Sequence, residues 1–306
     1  MSTEVIRSYD DVAQVRDNVV HLRETEGSTF QSSSIAFFGT GNVLYVEDGA
    51  KLKNCTLRFR GNDSVIHIRA SSRTTQLKVT TYNESVLYLG PGASFTSPAR
   101  ALPSERTHVI IGSDAMFSHQ VTFRTADPHL VYSATTHKRV NPSRSIWVGD
   151  HVWLGQEALI LKGAHIGSGS ILGARSVLTK DVPSNASAAG SPARVVGSDI
   201  FWTRPSVHTY TRAQTLKSQK HKGDEFIYGT GPGVLDPETL EAELDAATSG
   251  EERAEWCHRL DALTARERFY RDASGPPAGA AASPSTAADP RRGARRRALI
   301  RSLGLR

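Results

Sequence analysis

The sequence predicts a mainly β chain: a left-handed parallel β-helix over 35–197, with an N-terminal helix before it and an α-helical extension after it. The first observation behind this is a six-residue period. Aliphatic residues stand at Val148, Leu154, Ile160, Ile166, Leu172 and Leu178 without a slip, and glycine follows at Gly149, Gly155, Gly167 and Gly173. Four residues past each aliphatic sit Val152, Ala158, Ala164, Ser170, Ser176 and Val182, mostly small. Six residues make one flat side of a triangular coil. The aliphatic points inward onto its counterpart one coil away, and the small residue fits the corner. The second observation is texture. From about Ser33, apolar runs of two to four residues alternate with turn chemistry such as Gly39-Thr40-Gly41-Asn42 and Asp48-Gly49, too short for the strands of a sandwich. The third is a break in the period. It runs through Leu89 and Phe95, then Ile111, Phe117 and Phe123, stops, and resumes at Val148, which predicts a loop insertion over 127–145.

In chain order, 1–34 carries Val12, Val15, Val19, Val20 and Leu22 at helix-like spacing and predicts a short helix. Over 35–88 the period is looser. Val46 and Leu52 keep it, but the next inward place falls on Arg58, which predicts a slipped coil. The period ends after Gly197. Residues 198–235 hold Trp202, Tyr210, Phe226 and Tyr228 and predict a segment packed on the solenoid end. Two helices follow, one capped by Asp236-Pro237-Glu238, the other running from near Ser249 to about Arg271. Residues 273–306 are rich in Ala and Pro and then in Arg, and cannot bury a core, which predicts disorder.

The 306 residues carry a net charge of +6, but Arg291, Arg292, Arg295, Arg296, Arg297, Arg301 and Arg306 supply seven positive charges. The remaining chain is near neutral, so the balance does not point to nucleic acid. The basic tail, with Leu299 and Ile300 beside it, could instead meet an anionic membrane or polyanion. No apolar run is long enough to span a bilayer, and no secretory leader is recognisable. With only Cys55 and Cys257, a disulfide framework is not expected. A cytoplasmic protein, peripheral at most at the inner face of a membrane, is the expectation.

Three motif blocks sharpen the fold into a family. They are Val148-Gly149-Asp150-His151-Val152-Trp153-Leu154-Gly155, then Gly173-Ala174-Arg175-Ser176-Val177-Leu178-Thr179-Lys180, then Ala189-Gly190-Ser191-Pro192-Ala193-Arg194. Together they resemble the C-terminal block of the hexapeptide-repeat acyltransferases. The run Phe123-Arg124-Thr125-Ala126-Asp127-Pro128-His129 resembles the subgroup that O-acetylates capsular and cell-surface polysaccharides, with Pro128 where that subgroup usually has serine. The resemblance covers about 35–205. It implies a homotrimer, acetyl-CoA in the groove between two solenoids, a carbohydrate acceptor, no metal, and a catalytic histidine on the inserted loop.

A sugar hydroxyl needs a base to attack a thioester, and histidine can take that proton and return it. By the resemblance His129 is that base, His119 the alternative, and Asp127 a candidate to orient the ring. For the co-substrate the resemblance implies Lys180 and Arg194 on its phosphates, with Lys162 as a third cation. Trp153 would flank the pantetheine arm, while Gly173 and Ala174 would allow close approach. Arg139 and Asn141 in the loop are candidate acceptor contacts, and His137 and His151 are expected at the surface or behind the site. Three other readings stay open. They are N-acetyl transfer to an amino sugar or nucleotide-sugar, a zinc enzyme like a γ-carbonic anhydrase using His119, His129 and His137, and a non-catalytic β-helix scaffold.

Overall fold

A computed structural model describes residues 3–273. The Arg-rich tail and its expected disorder lie outside the described residues. The core is a three-sided solenoid whose sides are sheets of eight, seven and six strands. Except for the antiparallel Glu4–Ile6 at the start and the antiparallel closing pair Ser187–Gly190 and Ala193–Gly197, the strands of these sheets pair in parallel with the next coil. Coil length explains why the period is clear only in the second half. Val43 pairs with Val65 and Leu87 with Val109, about twenty-two residues per coil, whereas Trp147 pairs with His165 after eighteen. Only the late coils are three plain hexapeptides. The earlier ones add residues at a corner and lose the frame.

Every aliphatic in the late period is buried, from Val148 at 0% to Ile166 at 2% exposure, and so are the small corner residues Val152, Ala158 and Ala164. Fully burying such a side chain is worth roughly 1.5–3 kcal/mol, so the column is the main source of stability. Aromatic pairs extend the stacking, Phe37 on Phe59 at 4.5 Å and Phe95 on Phe117 at 4.4 Å between ring centroids. The recurrent glycines are set by coil stacking. A Cβ on Gly112 would meet Asp150 Oδ1 at 2.5 Å, and one on Gly155 would meet the Ala174 nitrogen at 2.6 Å.

Several expectations need correction. Among the described residues of the N-terminal segment the only helix is a 3-10 turn, Tyr9–Gln14. Val19–His21 is instead a strand paired with Val43–Val46, so the solenoid begins before residue 35. Val12 stays in that turn and Val15 ends it, whereas Val19 and Val20 are drawn into the strand by pairing with Val43 and Leu44. Arg58 is outward. The strand Thr56–Phe59 turns Leu57 and Phe59 into the core, because a corner between Leu52 and Leu57 is one residue short of six. The segment 198–235 packs on a side corner rather than the solenoid end, with the Trp202 and Phe226 rings stacked on His151 at 3.9 and 4.2 Å.

The helices of the extension are α1 (Arg212–Lys217), α2 (Pro237–Ala246) and α3 (Gly250–Ala262). The Asp236 side chain caps α2, as its sequence requires, and Ser249 caps α3, which ends nine residues earlier than expected. The pair covers the seven-stranded side in a second core, where Trp256, Cys257 and Leu260 meet Val65, Tyr88 and Trp147. No helix among the described residues is long and apolar enough to cross a membrane.

Two histidines, one buried and one half-buried, make this packing sensitive to acid. His108 accepts the Val86 N–H at 3.1 Å, and burial pushes its pKa down to about 3. His165, half-buried beside Arg271, is pushed down to about 4 by desolvation first. The unfolded chain titrates near 6.5, so between there and these folded values it binds protons that the folded chain does not. Stability is therefore full above about pH 6.5 and falls as pH drops, by at most about 1.4 kcal/mol per pH unit per group. Denaturant midpoints taken between about pH 7 and pH 4 should fall, and His108→Gln should flatten that slope. A flat profile in the wild type would contradict it.

Candidate active site

The long coil positions the site. Val109 pairs with Ile146 and Ile111 with Val148 across thirty-seven residues, so the inserted loop leaves the solenoid after Thr122–Arg124 and re-enters at Ile146–Val148. The insertion closes on itself through a bridge between Tyr132 and Arg139. Asn141 is its staple. Buried at 8% exposure, its Nδ2 donates to Asp127 Oδ2 at 3.1 Å and to the His129 carbonyl at 2.8 Å, and its Oδ1 accepts from the Val131 N–H at 2.9 Å. Lys162, from the next coil, donates to Asp127 Oδ2 at 2.6 Å and to the Asn141 carbonyl at 3.3 Å. These contacts hold the Asp127 carboxyl below its usual range, Lys162 first.

These contacts reassign three residues. Asn141 has no polar atom left to offer an acceptor sugar. Lys162 is spent on the loop rather than free for a phosphate. Asp127 braces the loop instead of orienting the His129 ring. His129 is thus fixed through its backbone, and its ring is exposed at the mouth of a cleft of about 470 Å³. Tyr82, Arg124, Glu105 and Arg139 share that lining. Arg139 is neutralised there, since its guanidinium grips Glu105, which Ser143 also contacts. Glu105 is consequently held down to about 2, with Arg139 the largest cause. Arg124 pairs with no carboxylate among the described residues, so it is the open cation of the cleft.

The remaining residues are distributed as follows. His119 is exposed at a coil corner, where its carbonyl accepts the Glu157 N–H at 2.7 Å. Trp153 projects outward, 37% exposed, with Nε1 donating to Ser118 Oγ at 3.3 Å. It continues an outward column with Met116 and Ile171. Lys180 and Arg194 are exposed and pair with no acid among the described residues, and Ala174 is also exposed. Gly173 has a structural reason of its own, because a Cβ there would sit 3.0 Å from that of Ala189.

His137 is exposed, but His151 is not at the surface. It is 1% exposed, with Nδ1 2.6 Å from Asp114 and Nε2 2.9 Å from the Trp202 carbonyl. Trp202 in turn lies 6.0 Å from Trp153 between ring centroids. No periodic signal in the sequence announces that neighbour.

Within one chain, His119, His129 and His137 do not converge on a common metal position. Among the described residues, the histidine and carboxylate atoms that do converge belong to His67, His258 and Asp261 beneath α3. Asp261 there already accepts from Arg69 at 2.7 Å and Tyr88 at 2.9 Å.

No protein-family model matches the chain. The polysialic acid O-acetyltransferase of Escherichia coli O1:K1 / APEC is 38% identical over 101 residues, 33% of this chain and 33% of that protein. The polysialic acid O-acetyltransferase of Neisseria meningitidis is 27% identical over 136 residues, 44% of this chain and 62% of that one. The chain thus spans about a third of one curated relative and less than two thirds of the other. Among solved structures, that of the polySia-specific acetyltransferase NeuO matches with a TM-score of 0.56 and 26% identity, over 65% of this chain and 90% of that one. The polysialic acid O-acetyltransferase OatWY matches with a TM-score of 0.55 and 25% identity, over 66% of this chain and 95% of that one.

Proposed function

We propose that this chain, a left-handed parallel β-helix with the hexapeptide repeat of acyltransferases, moves an acetyl group from acetyl-CoA to a carbohydrate hydroxyl. The observation that carries this reading is the exposed His129 ring, which lines a cleft on a loop stapled by Asn141 and tied to the solenoid by Lys162 and Glu105. The sequence and fold likeness to polysialic acid O-acetyltransferases supports a hydroxyl rather than an amine as nucleophile, and a cell-surface polysaccharide as acceptor.

His129 takes the hydroxyl proton as the sugar oxygen attacks the thioester carbonyl, and returns it to the departing sulfur. Direct attack needs no covalent enzyme intermediate, and both cysteines are buried. The co-substrate supplies an activated acetyl group. Lys180 and Arg194, exposed and without acidic partners among the described residues, suit its phosphates, and the column Met116, Trp153, Ile171 suits its apolar arm. Trp153 is exposed and Met116 and Ile171 are half-buried along one side of the solenoid, which suits a site shared between the subunits of a homotrimer. Acetyl-CoA as donor places the reaction in the cytoplasm.

The test is release of free CoA thiol from acetyl-CoA against a panel of acidic polysaccharides, neutral polysaccharides and amino sugars. Thiol release that depends on a polysaccharide is expected. Release only with amino sugars would favour N-transfer, and no release with any acceptor would overturn the reading.

A further inference from the structure

On the eight-stranded side, consecutive strands turn one cation each outward. Arg58 lies on Thr56–Phe59, Lys78 on Leu77–Thr81, Arg100 on Ala99–Leu102 and Arg124 on Thr122–Arg124. The register places Lys78 beside Arg100, and Arg58 two positions along the strand from the Lys78 row. Arg124 pairs with Leu102 and so stands, like Arg58, two positions along from the Lys78–Arg100 row; with strands about 4.8 Å apart, the charges run along the solenoid axis as a ladder of two offset rows. Arg60 adds a fifth cation, 5.0 Å over the ring of Phe38.

None of the five forms an ion pair with an acid among the described residues, and none of the outward places on these four strands is acidic. Elsewhere Arg69, Arg139, Arg175, Arg204, Arg253 and Arg268 each hold a carboxylate. Exposed aromatic rings accompany the ladder, Phe38 at 43% and Tyr82 at 39%. Lys78 and Arg100 line a cleft of about 370 Å³, and Arg124 lines the cleft that holds His129.

We infer that this face is a track for a linear, carboxylate-bearing polysaccharide, laid along the solenoid axis so that one of its sugars enters the His129 cleft. The inference rests on the carbohydrate acceptor proposed above and adds the face of the solenoid that would hold it outside the cleft. A polymer with one carboxylate per sugar matches a ladder with one cation per strand. Aligned like charges without partners are self-repulsive, and a polyanion relieves that repulsion. A short oligomer reaches the cleft and Arg124 but not Arg58, Arg60 or Lys78, so the ladder acts on long chains.

The test compares wild type with the triple variant Arg58→Gln/Lys78→Gln/Arg100→Gln, which leaves the cleft intact. Binding of long-chain polysialic acid, short sialic acid oligomers, dextran and single-stranded DNA is followed at low and high salt, together with acetyl-transfer kinetics. Three exposed cation–carboxylate contacts, each worth up to a few-fold, should raise the KM and Kd for the long polymer by about tenfold in the variant. Values for short oligomers and kcat should hold, and the salt dependence should shrink. An unchanged Kd for the long polymer, equal loss for short and long acceptors, or tighter wild-type binding of DNA than of polysialic acid would each overturn it. Polymer binding that is lost in the variant, in a protein with no acetyl transfer at all, would uphold the track and sink the reaction. Circular dichroism of the variant guards against misfolding.

Discussion

Replacing His129 with alanine is expected to lower kcat by about 10²–10⁴, the range lost with a general base, while the KM for acetyl-CoA stays near wild type. The selectivity follows from how the ring is held. The backbone carbonyl of His129, not its imidazole, is fixed by Asn141, and the loop is tied to the solenoid by Lys162 through Asp127. Removing the imidazole therefore leaves the loop and the Lys180 and Arg194 side chains in place. Single-turnover rates with a saturating polysaccharide acceptor separate a chemical defect from a binding one. His119→Ala is the comparison, since His119 is exposed on the same stretch of chain. Full turnover in His129→Ala with collapse in His119→Ala would move the base to His119.

The second large effect is structural. Asp150→Ala should destabilise the fold by about 3–5 kcal/mol, the cost of stripping one partner from a buried ion pair. Arg268 is 5% exposed and approaches Asp150 through Nε at 2.9 Å and Nη2 at 2.7 Å. Asp150 Oδ1 also accepts the Ser113 N–H at 2.6 Å, so the same carboxylate joins two coils and the segment after α3. Without it a buried guanidinium is left facing Ser113 and the Leu263 carbonyl, and residues 263–271 should detach first. The denaturant midpoint and protease cleavage within that segment report the two consequences. An Asp150→Leu/Arg268→Met double variant should recover much of the loss, because no charge is then stranded. A midpoint unchanged in Asp150→Ala would refute the role.

How much of this was legible beforehand follows the range of the interactions involved. Val148 to Leu178 could be read directly, because coil stacking demands the same residue type at a fixed interval and the late coils insert nothing. The interruption that holds His129 was legible for the same reason, as a gap in that interval. Arg58 and the valines of the first strands were misread. Their coils carry corner residues of variable number, and a one-residue change in a β strand exchanges inside for outside.

The tertiary structure alone decided the partners. Nothing at 127–145 foretells that Lys162, Asn141 and Asp127 use their polar groups on one another. Nor does anything near residue 151 foretell Trp202 and Phe226 closing on the His151 ring. The same holds for the unpaired ladder of Arg58, Lys78, Arg100 and Arg124, whose members stand twenty or more residues apart and become neighbours only when the coils stack. Sequence determines a repeating fold because its constraint is local and periodic. Sites are built from side chains that meet across coils, where the distance along the chain carries no information about who pairs with whom.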